Sequence, residues 1–154
     1  MNNKTELESW NESGFALGLF SMSHMDYVLD RDSDTCTKPC DQPPLDLMVK
    51  KAINRLKKNE KGFFLMVESG MIDQAHHKNW AKKAFEETLA LDKAVKVATD
   101  MTDETDTLIM LTADHSHSIT FNGYPKRGSN ILGNLIYRTS ISNRRFRLVT
   151  TTLT

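Results

Sequence analysis

The chain has 154 residues, of which 39% are hydrophobic and 26% are charged, a composition typical of globular proteins and not of disordered ones. Twenty basic and twenty acidic residues cancel, so no overall field attracts nucleic acid or anionic lipid, and we predict no nucleic-acid partner. No apolar run approaches the roughly 20 residues of a membrane span. The start "MNNKTELESWNE" lacks the apolar region of a signal peptide, so none is expected.

The first predicted element is a strand. "FALGLF" at residues 15–20 is a short apolar run of the kind that forms buried strands. Residues 21–44 contain Asp, Ser, Pro and Cys and predict a long loop. Cys36 and Cys40 lie in this loop without zinc-site spacing, and both a small disulfide ring and two exposed thiols remain open. Asn3 and Asn11 each begin a glycosylation acceptor pattern, which alone is weak support for secretion.

Helical and strand patterns then alternate. Apolar residues between positions 45 and 58 recur at helical spacing and predict an amphipathic helix, with Gly62 as its stop. "FFLMV" at residues 63–67 and "TLIMLTA" at residues 107–113 are continuous apolar runs, typical of parallel strands that are buried on both faces. An apolar stripe over residues 81–98 predicts a long helix between them, followed by the polar turn "TDETD". The order β-α-β-α-β predicts an α/β fold with parallel strands.

Residues of metal-ligand type follow the second and third predicted strands. Glu68 comes directly after the second strand, and Asp114 and His115 come directly after the third. Ligands of open parallel sheets bind beyond the carboxyl ends of the strands, so we expect these side chains to lie on one rim of the sheet. Asp73 and His77 are four residues apart, so they share one face if their segment is helical.

The residue types suit a divalent metal ion. Carboxylate with imidazole suits zinc, and a set of carboxylates suits magnesium. Clustered anions would also repel one another unless a cation neutralised them. Each residue alone has an ordinary interpretation, because an Asp that opens a helix is usually a cap and a His at a strand end usually faces solvent. Together they predict a metal site, in which His76 and His117 are direct ligands, supporting residues or merely solvated neighbours.

Two stretches, "GFFLMVESGMIDQAHH" and "DTLIMLTADHSHSITFNGYPKRGSNILG", closely resemble the metal-dependent alkaline phosphatases of animals. The resemblance begins near "LGLFSMSHMDYVLDRD", continues to Gly133 and covers most of the chain. It implies an α/β fold, a three-layer sandwich with a largely parallel sheet. Residues 1–133 would form a partial alkaline phosphatase domain, and residues 134–154 a divergent C-terminal tail.

The resemblance also implies a phosphomonoesterase with two zinc ions, one magnesium ion and a serine nucleophile. Five residues match metal ligands of the family: Glu68 for magnesium, Asp73 and His77 for the first zinc, and Asp114 and His115 for the second zinc. The substrates of the family are phosphate monoesters. Its animal members are homodimers that a lipid anchors to the extracellular face of the plasma membrane, so the same partners and location are expected for a full-length parent.

The departures from the family pattern concern the nucleophile and part of the ligand set. The Asp-Ser-Ala-type motif with the nucleophilic serine, a bridging Asp, a phosphate-binding Arg and a further zinc-binding His have no match, so no catalytic residue is assigned. We therefore expect an internal fragment with little or no activity alone. Gln74 stands where vertebrate members often have His, and Ser21 where many members have a calcium-binding Glu, so calcium is not predicted. His117 matches a histidine with a supporting role.

Two other functions remain open. A non-catalytic metal-binding or interaction protein derived from the same fold would take up zinc without hydrolysing esters. Another hydrolase on a similar scaffold, such as a phosphodiesterase or sulfatase, would differ in its substrate. The close "VESG…IDQAHH" and "TADHSH" matches argue against this second alternative.

Overall fold

The structure, a computed structural model, describes residues 1–32, 41–121, 123–130, 132, 134–138, 143–147 and 149–152. The described elements are five helices and four short strands: α1 Lys4–Ser9, α2 Val28–Arg31, α3 Leu45–Leu56, α4 Met71–His77, α5 Ala81–Met101, β1 Ser118–Phe121, β2 Asn134–Arg138, β3 Asn143–Arg147 and β4 Val149–Thr152. No helix among the described residues is long and apolar enough to cross a membrane. Cys36 and Cys40 lie outside the described residues.

Helices α3 and α5 pack against each other and form the larger part of the core. Val49 and Ile53 lie one turn apart on α3, and both are buried against Ala94 of α5. We call this group the α3–α5 cluster. The chain leaves α3 through a turn in which the Gly62 N–H donates to the Asn59 carbonyl at 3.0 Å. Gly62 has a φ of +86°, a conformation that favours glycine, but α3 already ends at Leu56, so Gly62 is not the residue that stops it.

Helix α5 contacts three of the other helices. It packs against α2, α3 and α4, and also against β4. Tyr27, Ala75 of α4 and Ala84 of α5 form a second buried group, the α4–α5 cluster, with Met71 packed at its edge. The helix predicted from the apolar stripe over residues 81–98 is confirmed, and α4 packs against it.

Basic side chains of α3 bind the N-terminal segment by its backbone. The Lys51 Nζ donates to the carbonyls of Glu8 and Trp10, both at 2.9 Å. One turn further along, the Arg55 Nε donates to the Gly14 carbonyl at 2.7 Å. The segment that follows α1 is therefore held on α3 mainly by cation-to-carbonyl hydrogen bonds, while Leu7 of α1 is buried.

None of the three apolar segments predicted as strands forms one in the structure. Residues 15–20, 63–67 and 107–113 are assigned to no strand, and no backbone hydrogen bond between described residues joins any two of them. Leu65 packs on the α3–α5 cluster, but Phe64 is 86% exposed and Leu108 is 81% exposed. The physical reason is that an apolar run becomes a strand only when neighbours take up its backbone N–H and C=O groups. No described segment forms a strand ladder with these runs, and most of their large apolar side chains are exposed.

The strands that do form are short and antiparallel. β1 pairs with β4, with Ser118 opposite Thr152, and β2 pairs with β3, with Asn134 opposite Arg147. The predicted C-terminal tail, residues 134–154, contributes three of the described strands. The described residues contain no parallel sheet, so the three-layer sandwich is not confirmed. The domain boundary predicted after Gly133 stays a prediction.

Candidate metal centre

The first part of the candidate site lies on α4. A turn at Ser69 and Gly70 opens this helix, with the Ile72 N–H donating to the Ser69 carbonyl at 3.3 Å. The helix places Asp73 and His77 on one face, and the His77 Nε2 lies 3.3 Å from the Asp73 Oδ2. The shared face expected from their four-residue spacing is therefore confirmed.

The second part comes from residues 114–117, which reach Asp73 from another region of the chain. The His117 Nε2 lies 2.8 Å from the Asp73 Oδ1, and the His115 Nε2 lies 3.5 Å from the same oxygen. The two clusters that the sequence separates by about forty positions therefore meet at one carboxylate. Asp73 is the residue that joins them.

Four imidazole rings surround this carboxylate, with His117 in the middle. The rings of His76 and His117 stack at a centroid distance of 4.8 Å and an angle of 15°. His77 meets His117 edge-on at 5.2 Å, and the His115 ring lies 5.1 Å from that of His117. The His117 side chain is 7% exposed, whereas His77 and His115 remain open to solvent. The site is thus half-enclosed, with its outer rings accessible.

The charges of the site favour an ionised carboxylate. The hydrogen bond from His117 holds the pKa of Asp73 below its ordinary value, the charges of His77, His117 and His115 act the same way, and burial partly opposes them. Burial, together with repulsion from His117, lowers the pKa of His76. An ionised carboxylate can only accept, so the His117 Nε2 is the ring nitrogen that donates to Asp73, and the buried Nδ1 of this ring has no partner among the described residues. Asp73 therefore offers an anionic oxygen over a wide pH range.

Asp73, His115 and His117 form the group that is spaced to hold a metal ion. One ligand atom from each of them lies within 4.8 Å of the others. Zinc binds such atoms at about 2.0–2.2 Å, so two ligands of one tetrahedral zinc lie roughly 3.3–3.6 Å apart. The His77 and His115 nitrogens lie 3.3 Å and 3.5 Å from Asp73 oxygens and so fall in that range, whereas the His117 nitrogen, at 2.8 Å, is at hydrogen-bond distance. A donor set of one carboxylate with imidazoles is one that zinc accepts. The residues present therefore fit zinc.

The family of the chain follows from comparison with known proteins. A family model described as alkaline phosphatase matches residues 1–150. The chain belongs to the alkaline phosphatase family. It is 47% identical over 130 residues to the membrane-bound alkaline phosphatase of Bombyx mori, covering 84% of this chain and 22% of the relative. It is 47% identical over 133 residues to the tissue-nonspecific alkaline phosphatase of Felis catus, covering 85% of this chain and 24% of the relative.

A third alkaline phosphatase, from Gadus morhua, is 38% identical over 149 residues, which is 96% of this chain and 30% of the relative. The chain thus spans between a fifth and a third of the length of these relatives. Membership of the family supports the α/β fold class.

Two of the five alkaline phosphatase ligands predicted from the sequence stand apart from Asp73. The Asp114 carboxylate is 87% exposed, and its Oδ2 lies 3.6 Å from the His115 Nε2. Glu68 is exposed and makes no hydrogen bond or ion pair with any described residue, although its Oε1 lies beside Gly70. The structure thus brings Asp73, His77 and His115 together directly and leaves Asp114 and Glu68 at the margin. Their assignment to particular ions stays a prediction.

The contact of His117 with Asp73 is the part of this site that sequence reasoning did not place. A signal for it is present in "DHSH", because alternate residues of an extended segment point to the same side. His115 and His117 therefore face one way together. Spacing alone could not give the 2.8 Å contact, which joins residues 44 positions apart.

Proposed function

We propose that this chain supplies part of the metal centre of an alkaline phosphatase, an enzyme that hydrolyses phosphate monoesters with two zinc ions and one magnesium ion. The observation that carries the proposal is the meeting of two separate segments at Asp73, within a chain of this family. The donor types, the ionised carboxylate and the half-open surroundings support it.

The proposal assigns each ligand a role. Asp73 and His77 would hold the first zinc, Asp114 and His115 the second zinc, and Glu68 the magnesium ion. The zinc ions held by these residues would stabilise the negative charge that develops on the oxygens during displacement at phosphorus.

His117 contributes without binding a metal in this assignment. Its Nε2–H donates to the Asp73 Oδ1 at 2.8 Å and orients that carboxylate, while the Oδ2 faces His77. Hydrogen bonds of this kind fix the direction in which a ligand offers its lone pairs. The low pKa of Asp73 keeps its oxygens free of a proton that would compete with a cation.

We further propose that a full-length parent of this chain acts on phosphate monoesters as a homodimer at the extracellular face of the plasma membrane, held there by a lipid. The support is that one of its relatives is named as membrane-bound. For the chain alone we propose metal uptake with little or no hydrolysis, because no nucleophilic serine is assigned in it.

A graft tests the phosphatase proposal. The 130 aligned residues of this chain replace their counterparts in the Bombyx mori relative, and the product is assayed with a chromogenic phosphate ester at alkaline pH. We expect hydrolysis by the graft. Loss of a supporting partner costs ~10–100-fold, and loss of a direct ligand at least that, so His115→Ala should reduce turnover by more than ~100-fold. Excess zinc should restore only part of the loss.

The matched control in the graft is His24→Ala, because His24 is an exposed imidazole far from α4 in sequence. It should leave turnover unchanged. Near-normal turnover by a folded His115→Ala graft would refute the assignment of His115.

Zinc titration calorimetry tests the metal site in the chain itself. The wild-type chain should bind zinc, and His77→Ala should bind it more weakly, while His24→Ala should match the wild type. Identical isotherms for wild type and His77→Ala would refute the metal role of α4. Zinc uptake by the chain together with an inactive graft would favour a metal-binding protein without catalysis.

A further inference from the structure

Glu87 is an acidic residue that is buried in the structure. It lies on α5 and is 6% exposed. Its Oε1 accepts a hydrogen bond from the Val28 N–H at 2.7 Å, across 59 positions of the chain. Burial raises the pKa of Glu87, and the Val28 hydrogen bond and the charge of Arg31 oppose that rise. A buried carboxylate costs free energy unless its hydrogen bonds offset the cost, so packing alone does not account for Glu87.

The partner of Glu87 is a backbone group that nothing local satisfies. Val28 begins α2, and the residue before it, Tyr27, makes no side-chain cap. The first N–H groups of a helix have no acceptor within the helix, so the carboxylate on α5 supplies one. Four titratable side chains interact electrostatically with Glu87, all in α2 or next to it: Tyr27, Asp30, Arg31 and Asp32.

Tyr27 connects the Glu87–Val28 hydrogen bond to α4. Its ring is buried in the α4–α5 cluster against Ala75 and Ala84, and it meets Trp80 edge-on at a centroid distance of 5.7 Å. Ala75 is 0% exposed and lies on α4 between the two candidate ligands of that helix. A displacement of the Tyr27 ring would therefore move the segment that carries both ligands, because packed interiors transmit strain.

Lys83 provides a second connection from α5 to the same segment. Its Nζ lies 2.6 Å from the Asp30 Oδ2. The same Nζ lies 4.5 Å from the centre of the Tyr27 ring and 4.4 Å from that of Trp80. Lys83 and Glu87 are one turn apart on α5, and they contact Asp30 and Val28, both in the helix that follows Tyr27.

We propose that Glu87 is a positioning residue for the metal ligands of α4. It holds the Val28 N–H, which fixes the neighbouring Tyr27 ring against Ala75. That contact sets the position of α4, and with it the direction of the Asp73 carboxylate. The proposal rests on the proposed function, since it takes α4 to carry zinc ligands.

Three variants separate the hydrogen bond from the rest of the side chain. Glu87→Gln keeps an acceptor oxygen and the shape of the side chain, whereas Glu87→Met keeps only the approximate volume. Val28→Pro removes the donor instead. Tyr27 has φ −59° and ψ 148°, a conformation that the residue before a proline prefers, and proline is favoured at the first position of a helix. Glu104→Met, at an exposed site after α5, is the control.

The first measurement is zinc affinity, by competition with a chromogenic chelator, on proteins shown by circular dichroism to be folded. We expect Glu87→Met and Val28→Pro each to weaken zinc binding by ~10-fold or more, the loss typical of a supporting residue. Glu87→Gln and Glu104→Met should bind like wild type. Because both weak variants remove the same contact, combining them should weaken binding no further than either does alone.

The second measurement needs no metal. The ring-proton resonances of His77 and His117 report the surroundings of Asp73 in the metal-free chain, and Glu87→Met and Val28→Pro should shift them while Glu87→Gln should not. Unchanged resonances in a folded Glu87→Met protein would overturn the positioning role. If the wild-type chain takes up no zinc, the proposed function fails, and the resonances still decide the role of Glu87.

Discussion

Ala75→Leu should weaken zinc binding by moving α4, without touching any ligand. Ala75 is 0% exposed and packs against Tyr27 and Ala84, so the three added carbon atoms of leucine have no space. Overpacking of this kind costs about 1–3 kcal/mol. Helix α4 has seven residues and ends at a turn that contains Asn79 with a φ of +54°, so it is the element that yields most easily.

The expected loss of affinity follows from one distance. The His117 Nε2 and the Asp73 Oδ1 are 2.8 Å apart, so a shift of α4 by roughly 1 Å carries them beyond hydrogen-bond range. A hydrogen bond to a charged group contributes about 1.5–3 kcal/mol. At about 1.4 kcal/mol per factor of ten, zinc binding should fall by roughly 10–100-fold.

The assay combines chelator competition for zinc with urea denaturation. The matched control is Ala94→Leu, which adds the same atoms at a site 1% exposed in the α3–α5 cluster. It should lower the free energy of unfolding by a similar amount and leave zinc affinity near that of wild type. Equal zinc affinity in the two variants, both folded, would show that the position of α4 does not govern the site.

Three further outcomes are expected. Ile53→Ala should lower the free energy of unfolding by about 2–5 kcal/mol in urea titrations, because the 2% exposed side chain leaves a cavity, whereas exposed Lys50→Ala should change it by less than about 0.5 kcal/mol. The raised pKa of Glu87 means that the folded state holds its proton more tightly, so wild-type stability should fall relative to Glu87→Gln as pH rises from the ordinary glutamate value through that raised pKa. Parallel pH profiles of the two proteins would contradict this. The double variant Met66→Lys, Met110→Lys should bind less of a fluorescent apolar-surface dye than wild type, since both methionines are exposed, and unchanged fluorescence would argue against open apolar faces.

Periodicity was sufficient to predict the helices that bury a stripe. The apolar positions of α3 and α5 repeat at helical spacing, and each helix forms its own backbone hydrogen bonds. The three apolar segments predicted as strands show the limit of that reasoning. A strand forms only when a second segment pairs with its backbone. The run "TLIMLTA" does not indicate whether such a segment lies next to it.

The candidate site likewise contains contacts that the sequence predicts and contacts that it does not. The pairing of Asp73 with His77 could be predicted, because it lies within one helix. Its meeting with His115 was expected only in outline, from the rule that ligands gather at strand ends, and here it occurs without the parallel sheet. The hold of Glu87 on Val28 could not be predicted, because a lone acid in a helical pattern looks like a solvent-facing charge until distant residues bury it.

Helix α5 contributes residues to both the α3–α5 cluster and the α4–α5 cluster, and this arrangement has a thermodynamic consequence. An ion that binds only the folded protein raises the free energy of its unfolding, whichever element it touches. Since α3 and α4 rest on the same helix, opening either one exposes part of α5 and weakens the support of the other. Amide protons of Val49 and Ile53, which belong to the cluster without ligands, should therefore exchange with solvent more slowly once α4 is loaded with zinc. The metal content of α4 could then be measured from the hydrogen exchange of α3.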